Sequence, residues 1–360
     1  MFKNRCRIFW NDSRDIALHF VYGVLLMYKE TCRCILIPAS LLFALYFSST
    51  LYKGSGNAAT VSPVAFSEIW GYLMRGEEKL LKGEEPVTDI FYFSCDVNSR
   101  GRINMNVSVP VLPLLNGKRR RVHIVISELN NPGLMHTALD PDKGVRDYLI
   151  DDILELGKRF DGIQIDFEAV AGRDTVFFHR FLELINMGLE KGKIFSVALP
   201  PRIKKIKRDP YDYTVISKIA DRVYIMAYDQ HWSTGRPGPV ASLSWCRNIV
   251  RYAVKVIPGE KLVMGIPLYG RAWYNRRESC AISASHIYPL LTKKSVVRRA
   301  SAEEGVKLTY RDSSDVIVYY DDIKATRAKL LLYRKYVNAV GFWRIGMENR
   351  GVWREIGVIK

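Results

Sequence analysis

Residues Phe160 to Val170 read FDGIQIDFEAV, an alternation in which Gln164, Asp166 and Glu168 are polar and Ile163, Ile165 and Phe167 are apolar. Successive side chains of a strand point to opposite faces, so the three polar groups project to one side. Amphipathic helical patterns flank the run. Before it, Asp140-Pro141 offers an N-cap with proline in the first turn, and Val145, Leu149, Ile153 and Leu156 recur at helical spacing up to Gly157. After it, Asp174 opens a second helical stripe, Phe178, Phe181, Leu182, Ile185 and Leu189, ending near Gly192. An edge strand with one wet face alternates in the same way, but a strand set between two helices belongs to a covered parallel sheet or a barrel. There the even-numbered side chains face an interior where an unpaired carboxylate is costly or shifts toward its neutral form.

The same order of elements runs through the chain. Candidate strands are Ile69 to Leu73, Ile90 to Ser94, Val122 to Ser127, Gly162 to Glu168, Phe195 to Leu199, Arg222 to Tyr228, Leu262 to Pro267 and Ala339 to Trp343. Most intervals hold a helical pattern, as in Tyr213 to Ala220, Leu243 to Val256 and Ile323 to Tyr336. Eight such units predict an α/β chain folded as a (β/α)8 TIM barrel, which takes about 250 residues. The interval after the seventh strand is too long for one loop and helix. Within it, Val306 to Tyr310 and Val316 to Tyr320 read as a hairpin, predicting a small α+β insertion at about residues 271–321 in a barrel domain of residues 66–360.

In such a barrel the chemistry sits at the carboxyl ends of the strands. Glu168 ends the fourth, Tyr228 and Asp229 end the sixth and Trp343 ends the eighth; Met226 shares a face with Tyr228 by the period of two, and Tyr72 lies on the first strand. Taken singly, a terminal Trp or Tyr reads as packing. Together with the acids they suggest an aromatic-floored pocket of sugar size.

Four ordered motifs carry a resemblance. DGIQIDFE (Asp161 to Glu168) resembles the DGxDxDxE signature of family-18 glycoside hydrolases, and MAYD (Met226 to Asp229) is similar to their strand-six motif. GIPLYGRAW (Gly265 to Trp273) and VGFWRIGMEN (Val340 to Asn349) are similar to the ends of their strands seven and eight. The resemblance spans roughly Ser67 to Trp353. It implies that Glu168 is the general acid and then the base, and that Asp166 orients the substrate's 2-acetamido group, whose carbonyl oxygen acts as nucleophile. It further implies that Tyr228 and Asp229 bind that group, that Trp343 floors the cleavage subsite, and that no metal or cofactor takes part. The implied partner is an N-acetylglucosamine-containing polysaccharide.

The chain departs from the family pattern in two places. The middle aspartate of the signature is Gln164, so the relay of acids behind Glu168 is neutral at its far end; an amide can still hydrogen-bond Asp166, and family members with Asn at this place are enzymes. On strand three the usual SxGG is Ser127-Glu128-Leu129-Asn130. That divergence and the stretch AYDQHWSTGRPGPVASLSW (Ala227 to Trp245) resemble the bacterial cell-wall and spore-cortex branch, so peptidoglycan is expected ahead of chitin oligomers. The alternatives are a carbohydrate-binding barrel with weak or lost catalysis at the cell wall, and a structural envelope protein.

The amino terminus points outside the cytoplasm. Residues 34–52 (CILIPASLLFALYFSSTLY) have the length of a membrane span, with Lys29 and Arg33 before them, a leader of residues 1–33, and a linker of residues 53–65 behind. This predicts a single-pass anchor in the cell membrane with the domain extracytoplasmic, or a secreted protein if residues 27–55 are a cleaved signal peptide. The chain carries a net charge of +17, dense at Gly117 to Arg121, at Arg202 to Arg208 (RIKKIKR) and at Lys293, Lys294, Arg298 and Arg299. Such runs are ordinarily solvated faces; their functional reading is an anionic wall polymer or lipid surface, and no nucleic-acid module accompanies them. Cys95, Cys246 and Cys280 in the domain are too few and too scattered for a disulfide framework or a zinc site.

Overall fold

The computed structural model describes residues 62–276 and 278–359. The expected leader and membrane segment lie outside these residues. Among the described residues no helix is long and apolar enough to cross a membrane.

The strands, in chain order, are β1 (Val64–Phe66), β2 (Glu68–Met74), β3 (Asp89–Asp96), β4 (Arg121–Glu128), β5 (Gly162–Phe167), β6 (Ile194–Leu199), β7 (Arg222–Ile225) and β8 (Leu262–Pro267). They continue with β9 (Gly270–Tyr274), β10 (Glu278–Ile282), β11 (Val297–Ser301), β12 (Gly305–Arg311), β13 (Asp315–Tyr320), β14 (Ala339–Trp343) and β15 (Ile356–Val358). Strands β2 to β8 and β14 close into a parallel barrel, with β14 pairing both β2 and β8. These are the eight strands expected from the sequence. The run GIQIDF becomes β5, buried along its whole length.

Helices α1 (Pro132–Leu139), α2 (Arg146–Gly157), α3 (Thr175–Gly188), α4 (Tyr213–Ile219), α5 (Leu243–Ala253), α6 (Ala284–Leu291) and α7 (Ile323–Arg334) complete the domain. The stripe of α3 buries Phe178, Phe181, Leu182 and Ile185, as its spacing requires. Asp140-Pro141 does not open α2. Asp140 caps a short 3-10 turn (Pro141–Lys143) that ends at Gly144 in the left-handed region (φ 68°), and α2 begins after that break. The crossovers from β2 to β3 and from β3 to β4 hold no α-helix. In the second of them the apolar positions Ile103 and Val107 are buried while their neighbours face out, so an extended segment covers the barrel there.

Between β8 and β14 the chain builds a five-stranded antiparallel sheet, ordered β10-β9-β13-β12-β11. The expected hairpin is β12 and β13, with Arg311 opposite Asp315. One face of the sheet forms a second core, in which Ala272, Leu308, Val316 and Val318 meet Ile287 of α6.

The amino-terminal end of the barrel is plugged by charge. Arg222 pairs with Glu68 at 2.7 Å, Arg121 pairs with Asp89 at 2.6 Å, and His123 Nε2 lies 2.9 Å from the same Asp89 carboxylate. Burial opposes ionisation of Asp89, yet His123 and Arg121 outweigh it and hold the carboxyl at about 2. Above the plug Trp70 stacks on Phe91, their ring centroids 4.1 Å apart, and Tyr224 lies against Gly341 and Gly265. A Cβ at Gly341 would sit 2.5 Å from the Tyr224 ring, so only glycine admits that ring to the barrel interior.

Candidate active site

The carboxyl end of β5 brings the two acids to the barrel mouth. Asp166 is 4% exposed, and its Oδ1 has no hydrogen-bond partner among the described residues. Glu168 follows the last residue of β5, and its backbone N–H donates to the Glu128 carbonyl at 2.8 Å, which fixes the exit of the chain. Its side chain opens to solvent from above while protein walls strip much of its hydration. Burial, then the charges of Asp229 and Glu128, push the Glu168 carboxyl up to about 7. Burial and the charge of Glu168 push Asp166 well above the carboxylate range. Two such neighbours cannot both ionise cheaply and titrate as a pair. Asp229 and Glu128 are the charged neighbours that raise Glu168, and the repulsion between the paired acids falls on Asp166.

Gln164 is fully buried one step deeper. Its Oε1 accepts from the Tyr72 hydroxyl at 2.5 Å and its Nε2 donates to Ser196 Oγ at 3.3 Å. The expected hydrogen bond from this amide to Asp166 is not formed: β2 and β6 claim the amide, and Asp166 stands without it. Tyr72 is 1% exposed, under the mouth, with its hydroxyl turned to Gln164 and its ring edge-on to Trp343 at 5.2 Å. Trp343 ends β14 half-buried, also edge-on to Phe93 at 4.8 Å.

The sixth barrel strand, β7, stops at Ile225, so the two-residue alternation expected to place Met226 and Tyr228 on one face does not apply. Tight turns take over: Ala227 N–H donates to Ile225 and Tyr228 N–H to Met226, both at 2.8 Å, and Asp229 adopts φ 57°. They leave Met226 half-buried against the core and drop Tyr228 into the barrel, 8% exposed. Burial and its neighbours Tyr224 and Tyr72 push the Tyr228 phenol well up, so it stays a neutral hydrogen-bond donor. Asp229 turns outward, and its Oδ1 accepts from Tyr269 Oη at 2.6 Å and Arg271 Nη2 at 2.5 Å.

The site thus gathers Asp166, Glu168, Tyr228, Asp229 and Trp343 at the strand ends, with Gln164, Tyr72 and Met226 as supports beneath and beside them. Three further residues act there. Tyr269 and Arg271 lie inside the GIPLYGRAW segment but were assigned no role, because their partner Asp229 is 40 and 42 positions away. Glu128 fills the variable position of the SxGG pattern, which gives it no role. It is a carboxylate 9% exposed, with Oε1 held by the backbone N–H groups of Asn130 and Asn131 and Oε2 without a hydrogen-bond partner.

The basic runs separate. Arg119 is bound to Asp161 at 2.6 Å, Arg121 to Asp89, and the buried Arg120 donates to the carbonyls of Val87, Glu85 and Pro113, so this run is mostly internal structure. In the second run Arg202 is bound to Asp209 at 2.8 Å, while Lys204, Lys205, Lys207 and Arg208 are exposed.

Comparison with known proteins agrees with this geometry: residues 140–348 match the model of "Glycosyl hydrolases family 18". The chain belongs to glycosyl hydrolase family 18. It is therefore a glycoside hydrolase built on the closed eight-stranded barrel. It is similar to the "Uncharacterized glycosylase YvbX" of Bacillus subtilis (strain 168), 29% identical over 287 residues, covering 75% of this chain and 82% of that one. It is also similar to the "Cortical fragment-lytic enzyme" of Bacillus anthracis, 25% identical, covering 64% of this chain and 58% of that enzyme's length. In fold it resembles the Bacillus cereus spore cortex-lytic enzyme SleL, with a TM-score of 0.70, 22% identity, and coverage of 82% of this chain and 76% of that one. A class V chitinase mutant from Cycas revoluta in complex with (GlcNAc)3 shares the fold at a TM-score of 0.65 and 16% identity, covering 80% of this chain and 98% of that one.

Proposed function

We propose that this family-18 hydrolase cleaves β-1,4 bonds of N-acetylglucosamine-containing polymers, peptidoglycan ahead of chitin oligomers, with retention and with the substrate's own acetamido group as nucleophile. One observation carries the reading: Asp166 and Glu168 share the barrel mouth without a cation paired to either among the described residues, and Glu168 is pushed up to about 7. A carboxyl at that value is protonated often enough near neutrality to donate to the glycosidic oxygen, and basic enough afterwards to take a proton from water. Asp166 presents an unpartnered buried oxygen able to accept from the acetamido N–H, which turns the carbonyl oxygen toward the anomeric carbon. Tyr228 would donate to that carbonyl, Asp229 would accept from the sugar, and the Trp343 ring would lie under its apolar face.

The preference for peptidoglycan draws on the cortical fragment-lytic and spore cortex-lytic relatives. An extracytoplasmic domain, anchored through residues 34–52 or released after cleavage, belongs to the same proposal, since the polymer lies outside the membrane. The test is to incubate the full chain with purified peptidoglycan and, separately, with chitin oligomers, and to identify released saccharides by mass spectrometry beside Glu168→Gln. Products ending in reducing N-acetylglucosamine that vanish in the variant are expected. Products that persist in Glu168→Gln would remove this residue from the chemistry.

A further inference from the structure

The insertion sheet has two unlike faces. Ala272, Leu308 and Val318 turn inward to its small core, so their neighbours Arg271, Lys307 and Tyr319 turn to the opposite face. Strand register sets these side by side: Arg271 is opposite Tyr319, Tyr319 opposite Lys307, and Lys307 opposite Arg299. Directly opposed residues share a face, so the four form one row across β9, β13, β12 and β11. The Lys307 ammonium lies 5.6 Å from the centre of the Tyr319 ring, as the shared face requires.

One end of this row is in the active site, since Arg271 binds Asp229 at 2.5 Å. The same face carries Trp273, whose Nε1 donates to the Gly235 carbonyl in the loop that follows Asp229. From there the row runs outward to a half-buried Lys307 and an exposed Arg299, and neither has a carboxylate partner among the described residues. Of the acids in the sheet's turns, Asp315 faces Arg311, Asp312 lies beside it at the hairpin tip, and Glu303 accepts from the Ser244 N–H, which leaves Lys307 and Arg299 outside their ion pairs. With strands spaced about 4.8 Å apart, three steps carry positive charge about 14 Å from Arg271, a distance on the scale of a short oligosaccharide.

We propose that this face is a cationic wall beside the catalytic mouth that binds carboxylates carried by the glycan, making Lys307 and Arg299 specificity determinants for acid-substituted 2-acetamido-sugar polymers over neutral ones. The inference rests on the hydrolase reading above and names the substrate class of that site. Neutral oligomers offer such cations nothing to pair with, whereas peptidoglycan offers stem-peptide carboxylates, or the lactyl carboxylate where the peptide is absent. The acids at the mouth repel anions, so anionic substituents are steered to the wall and away from Glu168.

The test compares the full-length chain with its Lys307→Gln/Arg299→Gln double variant. The substrates are intact peptidoglycan, the same peptidoglycan with its carboxyls amidated, and chitin oligomers. The double variant is expected to lose about tenfold in kcat/KM on intact peptidoglycan and to show a flatter salt dependence, as two exposed charge pairs would give. Rates on the amidated polymer and on chitin oligomers should stay within about twofold. Equal loss on all three substrates, or no loss on any, overturns the wall. Should the unaltered chain release nothing from any polymer, the hydrolase reading fails instead. Sedimentation binding then decides the wall by itself: salt-sensitive retention on intact but not amidated peptidoglycan, weakened in the double variant, supports it, and equal retention overturns it.

Discussion

At the amino-terminal end of the barrel each buried acid is answered: Glu68 by Arg222, and Asp89 by Arg121 and His123. At the carboxyl-terminal end of the same barrel, Asp166, Glu168 and Glu128 stand together with no ion pair among the described residues. The pKa directions follow. Asp89 is held at about 2, and Glu168 is pushed up to about 7. One sheet supplies both ends, so strand geometry is not the cause; the placing of arginine is. A barrel that pairs its acids below and, apart from Asp229 on Arg271, leaves them without a cation above maintains a structural plug and a proton donor in one fold.

Swapping single groups should keep the two ends distinct. Glu168→Gln is expected to lower kcat by about a thousandfold or more, because it removes the proton donor. Its thermal unfolding should occur at the same or a slightly higher temperature, since a crowded acid has been neutralised. A large fall in melting temperature would mean that the top, too, is a structural ion site.

Asp89→Asn should do the reverse, costing about 2 kcal/mol of stability by removing the buried carboxylate that His123 and Arg121 share, Glu68 remaining beside Arg121, with kcat close to unchanged. The sign in pH is fixed by the direction of the shift. Because the folded-state value is depressed, this stabilisation is complete above the ordinary carboxylate range near about 4 and is lost as pH falls toward about 2. Urea unfolding of both proteins between acid and neutral pH reads it. A constant gap between the two curves down to the lowest pH would contradict the plug.

A smaller effect tests the layer between the ends. Tyr72→Phe leaves Gln164 Oε1 buried without its donor, and should cost about 1–2 kcal/mol. The freed amide can then turn toward Asp166, so the pH optimum should move as well. Stability loss with an unmoved optimum would separate Gln164 from the acid pair.

The sequence disclosed the parts whose causes are local. Each barrel strand is an apolar run between turn signals, and Asp166 and Glu168 declare themselves by a period of two. Parts set by distant partners stayed hidden. The turn that stops β7 at Ile225 ends on Asp229, whose place depends on Arg271, 42 positions on. Gln164 was expected to serve Asp166, but Tyr72, 92 positions away, reaches it first. The run Arg119 to Arg121 read as surface charge because Asp161 and Asp89 come beside it only when β3, β4 and β5 align. Glu128 fills the variable position of SxGG, and only the fold puts its carboxylate next to Glu168.

The most direct test of the unneutralised mouth is the pH dependence of kcat/KM on a soluble oligomer, for the unaltered chain and for Glu128→Gln. Glutamine keeps an oxygen for the Asn130 and Asn131 amides while removing one of the charges that raise Glu168; Asp229, Asp166 and Tyr211 remain around it. The account predicts activity that falls with rising pH through about 7 in the unaltered chain, and a limb displaced to lower pH in the variant. Activity undiminished well above that pH, or identical profiles for the two proteins, would contradict it.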